Sequence, residues 1–218
     1  MVRTKPDFIV AENDRESPVQ SKAKIREQLA HYKGCYVEIG SGSGMHLLKL
    51  AELHPDILCI GLEIRFKRAF KTGEKAEKLG LSNVLVLRTD ARGILDLFDD
   101  GEVRAFFVNY PDPWDKRRWR KNRILNESML ATMHRLLGPN GFLRYKTDHQ
   151  EYFSSTVEIV DSTKWETVKH SADLTQSRWF EDNIPTEFEY LFRSQNKPLC
   201  VLEIRKLNAP EAAQSPAE

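Results

Sequence analysis

No run in this 218-residue sequence approaches the length of a membrane-spanning helix, which needs about 20 mostly apolar residues. Its opening, MVRTKPDFIVAENDRE, lacks the apolar core of a signal peptide. These absences predict a cytoplasmic protein working away from membranes. Cysteine is scarce: Cys35, Cys59 and Cys200 are odd in number and form no C-x-x-C pair, which argues against a disulfide framework or a zinc ribbon. Each lies in an apolar run (YKGCYVEI, ILCIGLEI, KPLCVLEI), so buried, reduced thiols are expected. His46, His134, His149 and His170 are scattered without metal-ligand spacing; they read as surface or helix residues, and no metal is predicted. Charge excess is missing as well. Lys and Arg number 33 against 32 acids, a net +1, so only local clustering can point to a polyanionic partner.

What is present is an ordinary globular composition, 40% hydrophobic and 30% charged, in a chain of one-core size and without internal repeats. Residues 1–16 are polar and aperiodic, predicting a flexible arm; residues 208–218 are Ala-, Pro- and Ser-rich, predicting a disordered tail. Between them, apolar runs at 35–39, 57–64, 84–87, 103–108, 141–145 and 199–204 alternate with helix-like stretches at 45–53, 66–79, 91–98, 124–137 and 149–160. Near-continuous hydrophobicity in the strands predicts a sheet covered on both faces, and the alternation predicts βαβ crossovers. The fold class is therefore a doubly wound, mostly parallel α/β sheet. Segments 165–169 and 199–206, joined by a loop with no clear helix, suit an antiparallel hairpin at its C-terminal edge.

VEIGSGSGMHLLKLA sets Gly40, Gly42 and Gly44 between the first of these strands and a helix. Glycines there let the backbone turn sharply and approach a ligand closely. The dinucleotide fingerprint G-x-G-x-x-G/A would need a small residue where Met45 or Leu47 stands; the run is instead E-x-G-x-G-x-G, with Glu38 inside the strand. Glu63 ends the next strand, where a carboxylate can take both hydroxyls of a ribose, and Asp90 follows the third, within reach of an adenine amino group. Singly, each acid could cap the helix that follows, Asp90 before ARGIL above all. Three in register with the glycines fit a cofactor with a ribose, an adenine and a cationic end, as S-adenosylmethionine has.

FFVNYPDPWDKRRWRKNRIL follows the fourth strand. Pro111 and Pro113 stiffen the exit from the sheet and hold Asp112 at its C-terminal edge. Trp114 offers a face for a base or a wall for the site. Then Lys116, Arg117, Arg118, Arg120, Lys121 and Arg123 place six cations in eight residues around Trp119. Such runs are often plain solvated faces, but beside an active-site edge this one suits phosphate binding with base stacking.

Together VEIGSGSG, IGLEIR, NVLVLRTDA, YPDPWDKRRWRKNR, YKTDHQEY and TEFE, in order between Val37 and Glu189, resemble the bacterial tRNA (guanine-N7)-methyltransferase family. The P-D-P-W element with its basic extension and T-x-F-E are the distinctive parts. The resemblance implies a Rossmann-like class I methyltransferase domain over 17–207 with a seven-stranded sheet, methylating guanosine 46 in the variable loop of tRNA. It implies that Glu38, Glu63, Asp90 and Asp112 contact the cofactor, with Asp112 catalytic. Lys116, Asp148, Thr186, Glu187, Phe188 and Glu189 would contact the RNA, Asp148 or Glu189 accepting from guanine N1–H and its amino group. Asp115, Trp119 and Asn122 depart from the family pattern. Rival readings are an amino-methyltransferase acting on DNA or protein, and an inactive RNA-binding module of the same fold. No obligatory protein partner is expected.

Overall fold

A computed structural model describes residues 9–11 and 18–207. In chain order the elements are β1 (Ile9–Ala11), α1 (Pro18–Leu29), β2 (Cys35–Ile39), α2 (Met45–Leu53), β3 (Leu58–Leu62), α3 (Phe66–Lys78), β4 (Val84–Arg88) and β5 (Val103–Asn109). There follow α4 (Glu127–Leu136), β6 (Leu137–Thr147), α5 (Gln150–Glu158), β7 (Trp165–Ser171), α6 (Glu187–Ser194) and β8 (Cys200–Lys206). The strands form one sheet in the order β1-β4-β3-β2-β5-β6-β8-β7, with β8 antiparallel to both neighbours and every other pairing parallel. The expected parallel sheet and its antiparallel edge are both there.

Successive side chains of each strand serve opposite faces. Val37, Ile39, Ile60, Leu62, Phe106 and Val108 pack with Ile25 of α1, Met133 of α4 and Tyr152 of α5. Cys59, Val86, Ala105 and Phe107 pack on the other side with Leu47 and Leu50 of α2 and Ala69 and Ala76 of α3. Burial on both faces is why these strands are apolar throughout rather than alternating.

Several elements differ from the sequence expectation. β1 adds an eighth strand, pairing Ile9 with Val86 of β4, inside the stretch expected to be a flexible arm. The remainder of that arm and the tail at 208–218 lie outside the described residues. Helix α1, not among the helices expected from the sequence, turns Ile25 and Leu29 onto the core, and Arg26 ties it to Asp99 and Glu102. The stretch after Asp90 is a short 3-10 helix, Ala91–Asp96, not an α-helix. The loop expected before the last strand contains a 3-10 turn, Leu174–Gln176, and helix α6. The segment has its own small core, with Leu174, Leu199 and Val201 against Tyr110, Trp179, Phe180 and Phe192. The three cysteines are buried and free.

Candidate active site

Strand order reverses at β2, which has β3 on one side and β5 on the other, and open α/β sheets bind ligands beyond the strand ends at such a switch. A cavity of about 480 Å³ opens there, and its walls include Gly40, Glu63, Asp90, Asn109, Asp112, Trp114, Lys121, Arg123 and Phe188. Gly40 of the glycine loop, the acids Glu63 and Asp90, and the P-D-P-W motif thus meet at one space.

The loop between β2 and α2 is held from several directions. Gly40 and Ser41 donate their amides to Leu62 O of β3 at 2.8 and 3.1 Å. Gly42 N–H reaches Glu63 Oε2 at 2.9 Å, and Arg65 N–H reaches Oε1 at 2.7 Å. Glu63 is therefore both a cavity wall and the brace of the glycine loop. From α3, Thr72 Oγ1 donates to Gly42 O at 3.2 Å and Lys75 Nζ to Ser43 O at 2.8 Å. Gly40 lies at φ +73° with open space where a Cβ would stand, leaving room for a ligand against bare backbone. Gly44, at φ +83°, is pressed on Thr72, so any side chain would collide there.

Beneath the loop is a polar cluster only partly foreseen. Glu38 is buried on the α2 side of β2, where Oε1 accepts from Asn109 Nδ2 at 2.8 Å and Oε2 lies 3.2 Å from His46 Nδ1. His46 does lie in a helix, yet it is buried rather than exposed. Because Asn109 gives its amino group to Glu38, its Oδ1 is left without a partner on a residue that lines the cavity. Glu38 does not itself line the cavity; it orients the residue that does. Asn109, the last residue of β5, had one available sequence signal: a polar side chain ending the apolar run Ala105–Val108.

Asp90 accepts from Arg92 N–H at 3.0 Å and pairs with the Arg92 guanidinium, which lowers its carboxyl below the usual aspartate range. It caps the 3-10 helix and faces the cavity at once. The P-D-P-W segment is strained: Tyr110 and Trp114 adopt φ of 52° and 47°, left-handed values that side chains rarely take. They bracket Asp112, which makes no hydrogen bond or ion pair with any described residue. Tyr110 is buttressed by Phe192, ring centroids 5.3 Å apart, and burial pushes its phenol pKa up.

The basic extension forms a 3-10 helix, Arg117–Asn122. Trp119 stands edge-on to Trp114 at 6.2 Å, with Lys116 and Arg118 over its ring at 4.8 and 5.0 Å. Both indoles are more than a third exposed. Arg117, Arg118 and Lys121 remain open to solvent, and Arg120 pairs with Glu151 at 2.8 Å. Arg123 corrects the sequence reading. It is buried over the Tyr152 ring, donating to Pro113 O at 2.8 Å and Ser155 Oγ at 3.1 Å and pairing with Glu151. It anchors the motif to α5 and offers no guanidinium to a phosphate. Asp115 meets His149 Nε2 at 2.7 Å while His149 Nδ1 accepts from Tyr152 N–H, a second tie to α5.

The T-x-F-E element begins α6. Thr186 is its N-cap, and Thr186 and Glu189 satisfy each other's backbone amides in a capping box. Glu189 is one of the two acids, with Asp148, that the sequence offers to guanine. It is instead 1% exposed and joined to Lys146 of β6, whose ammonium also meets Asn183 Oδ1 at 3.1 Å and Ile184 O at 2.9 Å. Asn183 Nδ2 occupies its other oxygen at 2.6 Å. Burial lowers the Lys146 pKa, with Glu189 opposing the shift. Of this element only Phe188 lines the cavity. Glu187 is exposed, 4.0 Å from Lys75, and Asp148 pairs with Lys197 at 3.0 Å. Asp148, Lys116, Thr186 and Glu187 lie off the cavity wall.

Among known proteins, a family model whose description reads "Putative methyltransferase" matches residues 33–202. A "Bifunctional glycosyltransferase/methyltransferase" of Fusobacterium nucleatum is 36% identical over 204 residues, covering 93% of this chain; the chain spans only 31% of that relative's length. A "tRNA (guanine-N(7)-)-methyltransferase" of Clostridioides difficile is 34% identical over 173 residues, 79% of this chain and 80% of its own. The solved structure of the 16S rRNA methyltransferase KamB superposes with a TM-score of 0.63 at 16% identity, covering 85% of this chain and 94% of that one, a likeness of fold.

Proposed function

The chain belongs to the tRNA (guanine-N7)-methyltransferase family, and from that premise we propose that it transfers a methyl group from S-adenosylmethionine to N7 of a guanosine in tRNA, at position 46 of the variable loop. The observation that carries the reading is the convergence of Gly40, Glu63, Asp90, Asn109 and Asp112 on one cavity. Its donors and acceptors fit the cofactor: Asp90 and Glu63 end the adjacent strands β4 and β3, suiting adenine and ribose, and the unpartnered Asn109 Oδ1 beside the glycine loop suits an ammonium. When bound, the cofactor supplies an electrophilic methyl on a sulfonium.

Guanine N7 has a lone pair and no proton at neutral pH, so the chain needs no general base. Its task is alignment, and neutralisation of the positive charge that appears on the purine. Asp112, unpaired and fixed between two prolines, is the carboxylate suited to that charge. Trp114 and Phe188 give aromatic walls for an unstacked base, as RNA enzymes require. Arg117, Arg118 and Lys121 suit the flanking phosphates. Glu189 acts at one remove, holding α6 and so Phe188.

The test is mass spectrometry of tRNA nucleosides after incubation with pure protein and labelled S-adenosylmethionine. The expected product is labelled 7-methylguanosine mapping to the variable loop. Label in DNA or peptide with none in tRNA would reject the reading.

A further inference from the structure

We propose that the exposed face of α3 is a second tRNA-binding surface, holding backbone on the side of the cavity away from the P-D-P-W extension. The inference rests on the tRNA reading above.

The segment RFKRAFK puts Arg65, Lys67, Arg68 and Lys71 within seven residues containing no acid. Its geometry follows from helix periodicity. Ala69, Thr72, Gly73 and Ala76 are buried against the sheet, which turns Lys67 and Lys71, one helical turn apart, outward. Neither lysine has a hydrogen bond or ion pair with any described residue, whereas Lys75 on the inner flank is engaged with Ser43. Exposed lysines in a near-neutral chain usually find acids nearby; Lys49, Lys164 and Lys33 all do. This face does not.

Position supplies the second argument. Arg65 and Arg68 line the active-site cavity, as does Ile64. Lys67 and Lys71 therefore continue a cationic track that starts at the cavity wall. Lys121 lines the same cavity from the P-D-P-W extension. Phe66, 46% exposed and packed on Phe70 with centroids 5.9 Å apart, interleaves an aromatic with the cations. Unpaired cations with an exposed ring beside a cavity built for a nucleoside fit a polynucleotide backbone. A substrate gripped by both tracks straddles the cavity, which orients the target guanine better than one-sided contact.

The experiment compares wild type with the double variant Lys67→Gln/Lys71→Gln and with Lys33→Gln/Lys164→Gln, which removes equal charge where the chain enters β2 and β7. Arg65 and Arg68 are left intact because they line the cavity. Equilibrium binding of unmodified tRNA is measured from 50 to 300 mM KCl. The α3 variant should bind roughly 5- to 20-fold more weakly near 100 mM, with a log K against log salt slope shallower by about 1.4–1.8. The control pair should match wild type, and all three should bind S-adenosylmethionine alike. An α3 variant with unchanged Kd and slope, or a control pair weakened equally, overturns the surface. The functional reading fails separately: wild type that binds tRNA but leaves it unmethylated rejects that reading, while the binding curves still decide this one. Wild type with no salt-dependent tRNA affinity overturns both.

Discussion

Asn109 shows how one buried contact sets what the site offers. Glu38 takes its amide hydrogens, leaving the oxygen for a ligand. Asn109→Ala should remove that acceptor and strip Glu38 of its donor. A loss of about 1–3 kcal/mol in urea unfolding is expected, together with weaker cofactor affinity by calorimetry. Unaltered cofactor binding would reject the orientation argument. Asp112→Asn keeps the shape of its side chain and deletes the charge. Single-turnover methyl transfer should fall roughly 100- to 1000-fold while tRNA affinity stays near wild type. The cysteines make the opposite point, since burial pushes the Cys59 thiol up to about 12 and Cys200 to about 11. With so little thiolate at pH 8, none of the three should react with a thiol reagent until the protein is unfolded.

At the scale of elements, α6 depends on its first turn and one buried ion pair. Thr186→Ala removes the cap and should cost about 1 kcal/mol, seen as faster amide exchange across 187–194 and a raised KM for tRNA. Lys146→Met leaves Glu189 charged and buried without its cation, an expected loss of about 3–5 kcal/mol. The double variant Lys146→Met/Glu189→Leu should recover much of it. These elements also show what was legible beforehand. Strands β2 to β5 announce themselves because each is a buried apolar run, and the acids at their ends fall where strand length puts them. The inward turn of Glu189 was hidden, since its partner Lys146 lies 43 residues earlier on β6. Arg123 was hidden for the same reason: nothing in a basic run says which cation faces Tyr152. Local pattern reveals periodicity; it does not reveal which distant side chain completes a pair.

For the molecule as a whole, the cavity's walls come from many separate segments, so filling it should stabilise the fold globally. S-adenosylmethionine at about 100 times its Kd should add roughly 2.7 kcal/mol, a rise of about 5–10 °C in melting temperature for a chain of this size. NADH at equal concentration should give no shift, as the glycine spacing disfavours a pyrophosphate. The eighth strand has a consequence of another kind. β1 covers the flank of β4, whose backbone amides and carbonyls would otherwise face water as an open template. A chain clipped after Ala11 keeps every described group of the cavity and loses this shield, so it should turn over substrate normally when dilute and clump when concentrated. Three residues along one flank of the sheet set how crowded a solution the enzyme can tolerate.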